Sequence, residues 1–232
     1  MAVVWRILLY GPVAGLWALA ATVQLPPAWN LAVIVGAPLA VFPVVWRGRQ
    51  LLDREPTPAN AKAITLLLHA AILALYGPAI IKALAMFSDW HGWTIPLPLE
   101  VTNPVFFVAS AFMTLTVVNL ALDAVGAPFA IALSRKLATD WLYRRTRNPM
   151  VLATLLWFTA IGLSLQSAAF VFWALLVLAP AEFEYLIVYE ERELEIRFGK
   201  DYLAYKAKTP FLLPRFSRSA ASPRQVPSST SP

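Results

Sequence analysis

The chain has 232 residues, 59% of them hydrophobic and only 14% Asp, Glu, Lys or Arg. A soluble domain carries roughly a quarter charged residues, so this composition argues against a soluble protein and for a membrane one. Nineteen basic and thirteen acidic residues give a net charge of +6, but the basic residues gather between apolar segments. That pattern suits positive membrane flanks and argues against a nucleic-acid partner.

With no cysteine, the chain has no disulfide, thiolate nucleophile or cysteine-ligated metal. His69 and His91 are far apart and belong to no metal-spacing motif, so no metal site is expected. His69 reads as a packed or hydrogen-bonded residue within an apolar run.

The first apolar stretch, 7–25, follows Arg6 and is longer than a signal-peptide core, so it is expected to be a retained span. Pro26-Pro27 ends it, and 31–46 supplies a second, shorter span. The polar segment 47–62 reads as a loop with room for a short surface helix. A third span covers 63–87, with a kink at Pro78 and Lys82 placed to snorkel. The loop 88–103 has Asp89 and Glu100 but no lysine or arginine, and its tryptophans and prolines suit an interface. A fourth span is expected over 104–130, with Asn119 and Asp123 embedded one turn apart.

The second basic loop, 135–148, holds Arg135, Lys136, Arg144, Arg145 and Arg147 against Asp140 alone. Two further apolar helices follow, 150–165 and 168–188. The linker at Ser164, Gln166 and Ser167 is so short that they should be antiparallel neighbours. The first is short enough to tilt or to stop within the membrane. From Phe198 the chain is polar and basic, and the Ser- and Pro-rich stretch 217–232 is expected to be disordered.

The expected fold is all-α: a polytopic transmembrane helical bundle with a C-terminal helical hairpin and a cytosol-facing pocket. It divides into N-terminal membrane helices (1–134), a catalytic-type region (135–216) and a tail (217–232). Six passes put every basic segment and both termini on one side, which the positive-inside rule makes cytoplasmic. Five spans plus a re-entrant piece remains an alternative.

Arg144, Arg145 and Arg147 stand just before Asn148-Pro149, and Glu190-Glu191 stands near the end of the last span. A fold-back brings these groups to one membrane face. The bland reading makes the arginines a positive stop and the glutamates a solvated helix end. The functional reading uses the chemistry of a zwitterion. Proline opens a helix whose free N–H groups, with an arginine, can hold a carboxylate, and Asn148 can cap that helix. Adjacent glutamates project about 100° apart. One can face the bundle and meet an ammonium while the other holds a basic residue of the 144–147 loop. Glu182 and Glu184 sit inside the apolar helix after Pro180, where a charge must be paired, protonated or face a wet cavity. Glu182, Leu186 and Glu190 share a face; Glu184 occupies another. Trp141 and Tyr143 are interface anchors or covers for a ring.

These residues resemble the isoprenylcysteine carboxyl methyltransferase and phospholipid N-methyltransferase-like membrane enzymes. The family pattern reads here as Arg147-Asn148-Pro149, Glu190-Glu191, Phe198-Gly199 with Tyr202 and Tyr205, and Pro214-Arg215. It covers about 139–216; the first 130 residues are similar only in being membrane helices. The resemblance implies S-adenosylmethionine as methyl donor, with Arg147, Asn148, Pro149, Glu190 and Glu191 at its pocket and Arg144 assisting. It implies that Tyr202 and Tyr205 shape the cytosolic end. Membrane lipids are the expected partners, and the expected acceptor is lipidic or small and hydrophobic: an isoprenylcysteine carboxylate, a phospholipid amine or a thiol. Glu182 or Glu184 is the candidate base for an ammonium acceptor. Asn148 replaces the commoner histidine of the family, and Val151 stands where many members have tyrosine. A lipid-binding structural protein and a sterol-type reductase are the alternatives. The expected location is a bacterial inner membrane.

Overall fold

The computed structural model describes residues 2–90, 92–124, 134 and 136–214. Among them the fold is all-α: α1 (Ala2–Thr22), α2 (Pro27–Arg54), α3 (Pro58–Asp89), α4 (Leu99–Ala124), α5 (Pro149–Ser164), α6 (Ala168–Phe198) and α7 (Lys200–Lys208). The expectations for the Asp123 side chain, His91, Arg135, the end of the fourth span and the 217–232 tail fall outside the described residues. Four helices, α2, α3, α6 and α4 over Leu99–Leu122, are long and apolar enough to cross a membrane. The stretch Ile7–Thr22 and α5 are shorter apolar helices. The protein is an integral membrane protein.

Three element boundaries differ from those expected of the sequence. The segment 47–62 is not a loop: α2 continues through Arg54, and α3 starts at Pro58 with Thr57 accepting a cap bond from the Asn60 N–H at 3.2 Å. The polar residues of this stretch are arranged along a helix. Arg49 pairs with Asp53 one turn on at 2.5 Å, and Leu52 is buried. At the next interface α4 begins at Leu99, so Pro104 stands inside it and forfeits one backbone bond.

The third difference is the last span, which does not stop at 188. It runs unbroken to Phe198, where Gly199 turns the chain with φ +54°, a conformation that suits glycine. Two wider π-helical turns interrupt α6, Ala174–Leu178 and Tyr185–Glu190. The first lies just before Pro180, whose missing N–H prevents regular α bonding.

α1 and α2 pack on α3, α4 packs on α5, and α6 contacts α2, α3 and α5. The main core joins Ile34, Val41 and Val45 of α2 to Leu68, Ile72 and Tyr76 of α3 and to Phe170, Trp173 and Tyr189 of α6. The polar segments sort to two ends. At one end Arg192 reaches Asp53 at 3.0 Å, Arg49 donates to the Val188 carbonyl at 2.9 Å, and Arg147 meets Glu191. At the other end the segment 93–97 binds the turn between α5 and α6. Ile95 N–H donates to Gln166 O and Ala168 N–H to Trp93 O, both at 2.9 Å, and Thr94 bridges to Ser167.

Candidate active site

The chain before α5 is a tight turn. Leu142 N–H donates to the buried Asn119 side chain at 3.0 Å, which ties the turn to α4. That gives Asn119 an interhelical anchoring role. Next come Arg147, Asn148 and Pro149. Pro149 is buried at the first position of α5. Asn148 makes no side-chain cap, contrary to the capping expected of it. Its Nδ2 donates instead to Phe211 O at 2.9 Å, while Thr146 Oγ1 donates to the same carbonyl at 3.2 Å and Arg147 N–H donates to Pro210 O at 2.9 Å. The segment after α7 thus competes for the asparagine and leaves the first N–H groups of α5 uncapped.

Arg147 and the glutamate pair meet. Arg147 Nη1 lies 2.5 Å from Glu191 Oε1, and Lys206 Nζ holds Glu191 Oε2 at 2.7 Å and Glu195 at 3.1 Å. The guanidinium also stands over the Phe211 ring, 5.5 Å from its centre. Burial works against the charged Lys206, but its bonds to Glu191 and Glu195 outweigh this and raise its pKa above the usual lysine value. Tyr202 lies beside Arg147 and Glu191; burial, then the Glu191 charge, pushes its hydroxyl above the ordinary tyrosine range.

Glu190 points elsewhere. It lines a cavity of about 230 Å³ together with Arg147, Asn148, Met150 and Val151 at one end and Glu182, Tyr185, His69 and Tyr76 further along α6 and α3. The walls between are mainly apolar, with Trp17 from α1, Met113 from α4 and Trp157 and Phe158 from α5. Among the described residues the Glu190 carboxylate makes no hydrogen bond or ion pair, and Arg147 Nε is buried without a partner.

The second π turn explains why Glu182 and Glu190 both reach the cavity. Eight residues of regular helix would set them about 80° apart. One additional residue accommodated in a π turn makes the interval behave like about seven, which reduces the offset to about 20°.

The other expected residues separate. Glu184 does not line the cavity; its Oε1 accepts from Trp46 Nε1 at 2.7 Å, against α2. Arg144 and Arg145 are exposed and outside the lining, and Trp141 is exposed as well. Tyr202 and Tyr205 also lie outside the lining. Tyr205 donates to Tyr143 O at 2.7 Å and thereby supports the turn whose Tyr143 does line the cavity. Glu193 pairs with Arg197 at 2.6 Å, one turn apart.

Sequence reasoning passed over Lys206, Phe211 and Tyr76. Lys206 stands one turn after Tyr202, and Tyr76 two turns after His69, so helical spacing pointed to both. Phe211 had no such signal, because an irregular segment carries it.

A family model described as phospholipid methyltransferase matches residues 100–201. The match runs from the start of α4 to the first turn of α7 and includes Arg147, Glu182, Glu190 and Glu191. It stops short of Tyr202 and Tyr205, and α1 to α3 lie before it. No curated protein and no solved structure matches the chain.

Proposed function

We propose, for a chain that belongs through residues 100–201 to the phospholipid methyltransferase family and is an S-adenosylmethionine-dependent membrane methyltransferase, that its cofactor's amino-acid end lies between Arg147 and Glu190. The observation that carries this is the pair of unmet groups in one cavity: a buried guanidinium N–H without an acceptor and a carboxylate without a cation. A zwitterionic amino acid satisfies both. The uncapped start of α5, at Met150 and Val151, adds N–H donors beside Arg147 for the carboxylate. Glu191 acts differently, since with Lys206 it holds the guanidinium in place. Pro149 sets the start of α5, and Tyr202 and Tyr205 brace the corner from outside the cavity.

When bound, S-adenosylmethionine supplies an electrophilic methyl group and leaves as a neutral thioether. The protein's part is to align the acceptor and exclude water. The apolar walls serve the second need and suit a lipidic acceptor. The charges favour an amine. Arg147 is the only lysine or arginine among the described lining residues, and it is committed to the cofactor end, whereas Glu182 remains for the acceptor. A carboxylate acceptor would face that carboxylate with no cation to hold it. An ammonium acceptor binds Glu182 and gives up its proton there, which frees the nitrogen lone pair. Glu184, bound to Trp46 away from the cavity, has no part in this step. The C-terminal hairpin of α5 and α6 presents the Arg147 end of the cavity to the cytoplasm, with both termini on that side of a bacterial inner membrane.

The test is calorimetry of the purified protein with S-adenosylmethionine, together with labelled cofactor and a membrane lipid extract. Saturable binding and a labelled amine-containing lipid are expected. No binding at millimolar cofactor would reject the site.

A further inference from the structure

The inner end of the cavity is built by a helix outside the family match. His69 and Tyr76 come from α3, two turns apart, and meet Glu182 and Tyr185 of α6 across the cavity. His69 Nδ1 lies 2.9 Å from the Thr65 carbonyl, which can only accept, so Nδ1 carries the ring proton. The neutral ring then offers only a lone pair at Nε2. The Tyr185 hydroxyl, 3.2 Å away, must donate to it.

This leaves the lone pairs of the Tyr185 oxygen for the cavity. The Tyr185 ring is held in place: it meets His69 edge-on at 5.2 Å and stacks on Tyr189 at 5.9 Å, and the Tyr189 hydroxyl bonds Thr65 Oγ1 at 2.9 Å. Tyr76 is buried, at 7% exposure, and among the described residues its hydroxyl meets no partner at full hydrogen-bond geometry. It lies beside Glu182, close enough for its hydroxyl to be drawn to that carboxyl. Glu182 stands about 10 Å along the helix from Glu190, so this cluster is separate from the Arg147 end.

We infer that His69 is a positioning residue for the methyl acceptor: by making Tyr185 a hydrogen-bond acceptor it completes, with Glu182 and Tyr76, a subsite for the N–H groups of an amine headgroup. Glu182 supplies the charge and Tyr185 a second, neutral acceptor, while the Tyr76 hydroxyl, beside Glu182, orients that carboxyl. The inference rests on the methyltransferase reading of the cavity. It adds that α3 takes part in acceptor recognition.

The test uses the full chain in dodecyl maltoside micelles containing phosphatidylethanolamine, with labelled S-adenosylmethionine. Cofactor affinity is measured on the same preparations. His69→Leu should raise the acceptor KM about tenfold, the scale of one hydrogen bond to a charged group, and leave cofactor affinity unchanged. His69→Gln, which keeps an amide to accept from Tyr185, should recover most of the loss. The double variant His69→Leu/Tyr185→Phe should be no worse than Tyr185→Phe alone, since His69 acts through that hydroxyl. Losses that multiply in the double variant, or an unchanged acceptor KM in His69→Leu, would overturn the inference while cofactor binding stays intact. If His69→Leu does not fold, the comparison of His69→Gln with Tyr185→Phe decides: a loss in His69→Gln as large as in Tyr185→Phe refutes it. A wild-type protein that binds cofactor but leaves phosphatidylethanolamine unmethylated also refutes it, whereas one that binds no cofactor removes the methyltransferase site itself.

Discussion

Arg147 serves two partners at once, and its substitutions should reveal both. Arg147→Ala removes the free N–H proposed for the cofactor carboxylate and the clamp on Glu191. Cofactor affinity should fall about tenfold to a hundredfold, the range for a hydrogen bond to a charged group, with the protein still inserted in membranes. The two neighbouring glutamates should separate in the same binding assay. Glu190→Gln should weaken cofactor directly. Glu191→Gln should act less on affinity and more on thermal stability, because Glu191 joins Arg147 to Lys206. Equal effects from both would contradict the division of labour.

Lys206 adds a pH dependence. Burial lowers its pKa, but the bonds from Glu191 and Glu195 raise it further, so the folded value lies above the unfolded one. Its stabilisation is therefore complete below the ordinary lysine value of 10.5 and disappears as pH rises through the higher folded value. The melting-temperature gap between wild type and Lys206→Met should be constant through neutral pH and close only in strong alkali. The side chain is one-third exposed, so the gap should be small.

Among the elements, α1 is attached through α3, on which it packs. Trp17 makes the join: its indole N–H donates to Leu73 O at 2.8 Å, and the ring lies across Gly77. A β-carbon at Gly77 would stand 1.9 Å from the indole nitrogen. Gly77→Ala should therefore displace Trp17, which walls the cavity, and cost about 1–3 kcal/mol of stability as an overpacked site. Trp17→Ala removes the clash. The double variant should melt with Trp17→Ala alone, and a further drop would show that the glycine matters for another reason.

The length of the apolar runs made the membrane helices readable, because lipid demands long internally bonded segments, and the short linker at Ser164, Gln166 and Ser167 made the pairing of the 150–165 and 168–188 segments readable. Neither could locate the π turns, which depend on how α6 is packed and bonded. Those turns narrow the angle between Glu182 and Glu190 on the face they share and send Glu191 to Arg147. The helical run of 47–54 was also hidden, because its charges look like a loop until Asp53 is seen between Arg49 and Arg192.

For the whole molecule, the basic segments of α2, the 136–148 turn and the end of α6 converge on one end, and the lysine- and arginine-free 88–103 segment lies at the other. Positive charge is retained on the cytoplasmic side. Because the chain lacks cysteine, single additions report cleanly. Both Ser88 and Asp201 are exposed. In intact cells an impermeant maleimide should label Ser88→Cys, and Asp201→Cys should react only after permeabilisation. The reverse pattern would invert the proposed orientation.

Composition alone determined that this chain lives in a membrane, since so few charges cannot cover a soluble surface. Short-range motifs carried the resemblance to the methyltransferases, because Arg-Asn-Pro and Glu-Glu are local chemistry written in consecutive residues. Which glutamate faces the cavity, what occupies Arg147 and how α3 contributes His69 and Tyr76 were decided only by the tertiary structure. Those answers depend on helix register and on contacts between residues more than a hundred positions apart, and no local pattern encodes either.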